Sequence, residues 1–116
     1  LSKGCKYVSM TLDYPFITLE EQSRFMVGVT LPQSFKIPKG FGVYEVPAGE
    51  YAIFRFKGLY HELNRVYRYI YLDWLPANDY SLRDPFTFET YINTPEKTPV
   101  SELITDIYIP VKKKEI

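Results

Sequence analysis

The chain has 116 residues with 14 basic and 14 acidic side chains, long enough for one domain with its own core. Apolar residues at 46% and charged residues at 24% exclude a disordered chain, and zero net charge argues against binding phosphates or anionic lipid. A single cysteine excludes a disulfide framework and a Cys-based zinc site, and no stretch reads as a membrane span or signal peptide, so a cytoplasmic setting is expected.

Residues 4–12 alternate, with Tyr7, Ser9 and Thr11 on one side and Val8, Met10 and Leu12 on the other, which predicts a strand. Asp13-Tyr14-Pro15 closes it with turn chemistry, and the polar stretch Thr18-Leu19-Glu20-Glu21-Gln22 reads as a loop or helical turn. Arg24 to Leu31 reads as a second strand, ended by Pro32, which cannot donate to a ladder. Lys36 to Gly42 is a connector punctuated by Pro38, Gly40 and Gly42. Val43–Val46 and Glu50–Phe56 then read as strands separated by a turn at Pro47-Ala48-Gly49.

One helix is predicted from Leu59 to Trp74. Leu59, Leu63, Val66, Tyr67, Ile70 and Trp74 recur at three- and four-residue steps and form one apolar stripe. Gly58 marks its entry, and Leu75-Pro76 is expected to stop it. A polar turn, Asn78-Asp79-Tyr80-Ser81, leads to a strand from Phe86 to Ile92 with Thr87, Glu89 and Tyr91 on one face. Asn93-Thr94-Pro95 turns the chain into a last strand, Leu103 to Pro110, followed by a solvated tail at Lys112-Lys113-Lys114. Strands joined mostly as hairpins around one helix give an α+β class with an antiparallel sheet and a packed helix.

Two stretches look alike. Tyr7 to Pro15 and Thr87 to Pro95 are both strands ending in a proline turn, and Pro32 and Pro110 end the strands that follow. This suggests a pseudo-twofold repeat of two units. Val43 to Phe86 precedes the second copy, whereas only the first six residues precede the first. An incomplete first unit, lacking a strand and a helix, is therefore expected within a single domain over residues 1–116. The exposed sheet edge this leaves would need covering by that segment or by a second copy in a homodimer.

Four segments resemble the GyrI-like small-molecule-binding domain, which is also the effector-binding domain of AraC-type and MerR-type multidrug-responsive regulators. They are Val46-Pro47-Ala48-Gly49-Glu50-Tyr51-Ala52-Ile53-Phe54, Ile70-Tyr71-Leu72-Asp73-Trp74-Leu75-Pro76, Phe88-Glu89-Thr90-Tyr91 and Asp106-Ile107-Tyr108-Ile109-Pro110-Val111. No single segment is specific, but their order and spacing together carry the likeness. The resemblance implies two β-α-β-β units about a pseudo-twofold, with a cleft for bulky, flat, often cationic compounds. It implies that Glu89 is the acidic residue that pairs with a cationic ligand. Asp106 stands where the family commonly has Glu, one methylene longer, which shortens its reach.

The chain holds eleven tyrosines, and a buried tyrosine hydroxyl needs a partner. Tyr67, Tyr71 and Trp74 fall at i, i+4 and i+7, so they form either an aromatic wall of the cleft or part of the core. Tyr91, Tyr7 and Ser9 are expected to face the same cleft as Glu89, with Asp106 and Tyr108 closing its floor. The alternative for Glu89 is a solvated sheet carboxylate paired with Arg55 or Arg68, since burying it unpartnered would be costly. A delocalised cation would supply the partner, and tyrosine ring faces would add to its attraction.

The expected function is therefore ligand sensing, with DNA contacted only through a domain outside this chain. The resemblance implies two alternatives that stay open: hydrolysis of cyclopropane-bearing genotoxins, as in some stand-alone GyrI-like proteins, with Glu89 or Asp106 as base and Trp74 in the wall, or a gyrase-interacting module. His61 beside Glu62 reads as a solvated helix residue, and Cys5 as a small buried filler. Gly40-Phe41-Gly42 lacks the rest of any phosphate-binding fingerprint, so no cofactor or metal is expected.

Overall fold

A computed structural model describes residues 5–13, 24–32, 36–37 and 39–114. The turn expected at Tyr14-Pro15, the polar stretch Thr18 to Gln22 and the Pro38 of the connector lie outside the described residues. Six strands form one antiparallel sheet: β1 (Tyr7–Thr11), β2 (Phe25–Val29), β3 (Tyr51–Lys57), β4 (Tyr80–Leu82), β5 (Thr87–Tyr91) and β6 (Ile104–Lys113). Their order is β2-β1-β5-β6-β3, with β4 pairing with β6 off that path. The α+β class read from the sequence is the class observed.

The registers decide which side chains share a face. Ser9 lies opposite Glu89, Glu89 opposite Ile107, and Ile107 opposite Phe54, so these four project to one side. The helical run lies on that side. It comprises a 3₁₀ turn (Tyr60–Glu62), α1 (Leu63–Arg68), a π-helical turn (Tyr69–Trp74) and α2 (Leu75–Ala77). Leu63, Ile70 and Leu75 pack there against Ile107, Ile109 and Val111, all buried. Each such side chain contributes about 1.5–3 kcal/mol by leaving water. This core holds the helix over β5, β6 and β3.

The other side of the sheet carries an aromatic cluster. Phe88 and Tyr108 stack with centroids 4.4 Å apart, and Tyr51 meets Phe88 edge-on at 5.5 Å. Arg83 lies 4.9 Å over the Tyr51 ring. Tyrosine is thus divided between two faces rather than gathered on one.

Several boundaries differ from those expected, each for a local reason. The helix does not stop at Leu75-Pro76 but continues to Ala77. Pro76 has no N–H to donate, and its ring would crowd the Leu72 carbonyl of a regular α turn. The wider turn just before it, in which the Leu75 N–H reaches back to the Ile70 carbonyl, accommodates the proline. Asn78 ends the run by turning extended, its amide donating to the Trp74 carbonyl at 2.7 Å.

Val43–Val46 forms no strand, because nothing described pairs with it. Tyr80 and Ser81, read as turn residues, instead belong to β4 and pair with Lys113 and Lys112. Pro110 does not end β6, which runs on to Lys113, so the first two tail lysines are exposed residues of a strand. At its register position Pro110 needs no donor: its carbonyl accepts the Arg83 N–H at 3.1 Å. Gly58, at φ 150°, makes the bend between β3 and the helix, and a Cβ there would sit 2.9 Å from the Phe56 ring.

The β1–β2 and β5–β6 hairpins lie side by side, with β1 and β5 paired at the centre. Val8 pairs with Gly28 and Phe88 with Tyr108, at the same sequence separation in each hairpin. The correspondence is one of strands only. Among the described residues no helix accompanies the first hairpin, so a repeat of whole units is not established. No helix among the described residues is long and apolar enough to cross a membrane.

Candidate functional site

Strand alternation and the helical stripe bring four side chains to one point. Glu89 and Tyr91 project from β5, Ser9 from β1 opposite, and Tyr67 descends from the helix. The Tyr67 hydroxyl donates to Glu89 Oε2, and the Tyr91 hydroxyl donates to Oε1 at 2.8 Å. Tyr91 has only one hydroxyl proton, so the 2.7 Å contact with Ser9 must be donated by the serine. The order is Ser9 to Tyr91 to Glu89, with Tyr67 closing from the other side. Hydrogen bonds to a carboxylate are shorter and stronger than neutral ones, so this chain fixes the site.

The electrostatics follow from that arrangement. Burial pushes the Tyr67 hydroxyl far above the ordinary tyrosine range, and the Glu89 carboxylate adds to the shift. Burial likewise pushes Tyr91 up to about 12, opposed by the hydrogen bond from Ser9 and assisted by Glu89. Tyr60 is raised too, by burial first and then by Glu89. Among the described residues no ion pair involves Glu89. Among the described residues its two oxygens meet only the neutral hydroxyls of Tyr67 and Tyr91.

Glu89 and Tyr91 border a cavity of about 410 Å³ lined also by Tyr7, Tyr60, Leu63 and Thr94. Tyr60 and Tyr91 meet edge-on at 5.5 Å, and Tyr67 stacks with Tyr71 at 6.4 Å behind them. Tyr60, Leu63 and Thr94 were not expected as lining residues. Tyr60 could have been found, because it lies one helical stripe position before Leu63 and Tyr67. Thr94 had no comparable signal beyond its place in the turn after β5.

The structure gathers Tyr7, Ser9, Tyr67, Tyr71, Glu89 and Tyr91, and it sends the remaining candidates elsewhere. Trp74 packs edge-on against Phe54 at 5.0 Å and stacks on Tyr80 at 5.8 Å, at the far end of the helix. Asp106 and Tyr108 do share a face, but it is the face opposite Glu89, because Ile107 takes the position across from it. They cannot form the floor of this cleft. Asp106 is held by Arg55 at 2.8 and 2.9 Å through both oxygens, which also removes Arg55 as a partner for Glu89. A base role for Asp106 beside Glu89 fails on the same geometry. Among the described residues no three His, Cys, Asp or Glu side chains converge on a metal position.

Two pH effects are expected. The raised Tyr91 is protonated in the folded state when its unfolded counterpart, near pH 10, is losing its proton. Its contribution is complete below about pH 10 and is lost as pH rises toward about 12. Thermal midpoints should therefore fall through that window, and less steeply in Tyr91→Phe. The Arg55 guanidinium holds the Asp106 carboxyl below its ordinary value of 3.8, against the opposing effect of burial. That contribution is present above about pH 4 and disappears as pH falls through the lowered value. Asp106→Asn should be less stable at neutral pH and show a flatter acid decline; an unchanged acid limb would count against the pairing.

The pattern of the GyrI-like small molecule binding domain matches residues 1–112 of the chain. The chain belongs to that family. It is also 31% identical over 112 residues to a DNA gyrase inhibitor from Serratia proteamaculans (strain 568), covering 93% of this chain and 70% of the relative. The GyrI-like domain is one that binds small molecules.

Proposed function

We propose that this GyrI-like domain senses flat, hydrophobic cations, and that Glu89 is the residue that receives their charge. The observation carrying this is a carboxylate at an aromatic cavity with hydroxyl donors on both oxygens and no cationic partner among the described residues. A delocalised cation desolvates cheaply, can lie against the rings of Tyr7, Tyr60 and Tyr91, and neutralises the carboxylate. Tyr67 and Tyr71 form the second layer that holds Glu89 in position. In this reading the domain reports occupancy to a transcription regulator, touching DNA only through a separate domain, in the cytoplasm.

The test is a matched titration with ethidium, a planar phenanthridinium, and a neutral phenanthridine of the same outline. Ethidium should bind at least about tenfold more tightly, the equivalent of roughly 1.4 kcal/mol. Equal affinities would remove the charge-receiving role.

A second reading is favoured by the likeness to a DNA gyrase inhibitor. Here the domain would act on gyrase, with the ligand as modulator. A supercoiling assay with purified gyrase separates the two: inhibition that Glu89→Gln leaves intact would assign the action to a surface outside the cavity.

A further inference from the structure

A second cavity, of about 740 Å³, lies against the first hairpin. Val8 and Met10 from β1, Met26 from β2, and Leu31, Ile37 and Phe41 beyond it contribute to its lining. Val8 and Met10 alternate with Ser9, so they project from the side of the sheet that carries Phe88 and Tyr108, away from Glu89. Gly28, opposite Val8, adds no side chain, and a Cβ there would approach nothing closer than Val8 Cγ1 at 4.0 Å. The floor is open where a larger strand residue would fill it.

Among the described residues the lining contains no charged side chain, and Tyr44 brings its one side-chain hydroxyl. An ionic ligand would lose its hydration with nothing to replace it. Phe41 and Val43 are 73% and 74% exposed, so large apolar side chains stand in water around this concavity. Two flexible thioethers on facing strands can adapt to an irregular apolar shape. The volume falls in the range of small-molecule sites, about 300–1,000 Å³.

We propose that the protein carries here a second small-molecule site, distinct from the Glu89 cavity and selective for uncharged apolar compounds. Occupancy covers the exposed aliphatic and aromatic side chains, with Met10 and Met26 at the base and Phe41 on the segment facing them. The two sites divide ligands by charge, on opposite faces of one sheet.

Met10 and Met26 are the only two methionines in the chain, so their methyl resonances report this cavity alone. The experiment titrates the isotope-labelled 116-residue chain with N-phenylnaphthylamine, a neutral fluorophore that brightens in apolar surroundings. Both methyl signals should shift saturably as fluorescence rises. Gly28→Leu, which fills the floor, should weaken binding by at least about tenfold, and Phe41→Asp, at an exposed position, should do the same should the first variant not fold. Brightening with both methyls unmoved would overturn the proposal, as would unchanged affinity in the folded variants. Methyl shifts that follow protein concentration without the probe would identify a second copy as the occupant and also overturn it. The ethidium titration reads the other cavity, so either result can fail without the other.

Discussion

Glu89→Gln is expected to weaken ethidium binding by about ten- to a hundredfold, while leaving the neutral phenanthridine within about twofold. Glutamine keeps the length and planar end of the side chain, so the cavity retains its shape. One amide oxygen can still accept the Tyr67 hydroxyl, but the amide nitrogen then faces a second hydroxyl that donates to Oε1 in the native chain. What the substitution removes is the charge. A hydrogen bond or contact to a charged group in a partly buried site is worth about 1.5–3 kcal/mol, which sets the expected range. Isothermal titration at two salt concentrations checks it, because only the charged component should weaken with salt. Asp106→Asn serves as the matched control: it removes a carboxylate from the opposite face and should leave ethidium affinity unaltered.

Ile107→Ala is expected to have the largest effect on stability, about 2–5 kcal/mol. Ile107 is fully buried, lies directly across from Glu89, and packs in the cluster formed with Ile70 and Leu63. Removing its branched end loses apolar transfer energy and leaves a hole between sheet and helix that only partial collapse can fill. Because small domains are stable by only about 5–15 kcal/mol, this is a large fraction of the total. Urea denaturation should give a lower midpoint with an unchanged slope. A loss below about 1 kcal/mol would mean that the helix is not held by this core. Ligand affinity should also fall, since Tyr67 reaches Glu89 only while the helix stays on the sheet.

The parts of the site legible in the sequence were those fixed by local period. Alternation in β5 put Thr87, Glu89 and Tyr91 on one face, and the helical stripe put Tyr67 near Tyr71. What local period could not supply was the face each strand turns toward the helix. Asp106 and Tyr108 alternate with Ile107 and Ile109, and the two isoleucines take the covered side because burying them is favourable. The apolar pair was the available signal, and a shift of one residue in parity sends every side chain to the other face. Non-local pairing hid the rest. β4 exists because Val111 to Lys113 offer it a partner, whereas Val43 to Val46 alternate just as well and find none among the described residues. The likeness of the two hairpins was visible in their strands, but nothing described supplies the helix that a full repeat would require.

The π turn has a mechanical consequence. It holds one more residue than an α turn, and at its end Trp74 meets Phe54 and Tyr80 instead of following Tyr67 and Tyr71. One end of the helix is thereby clamped to the sheet by interlocked rings. Toward its other end, the Tyr67 hydroxyl ties it to the carboxylate that a cation would claim. If Glu89 receives a cation as proposed, the ligand competes with Tyr67 for the carboxylate at one end of the helix while Trp74 stays packed on Phe54 and Tyr80 at the other.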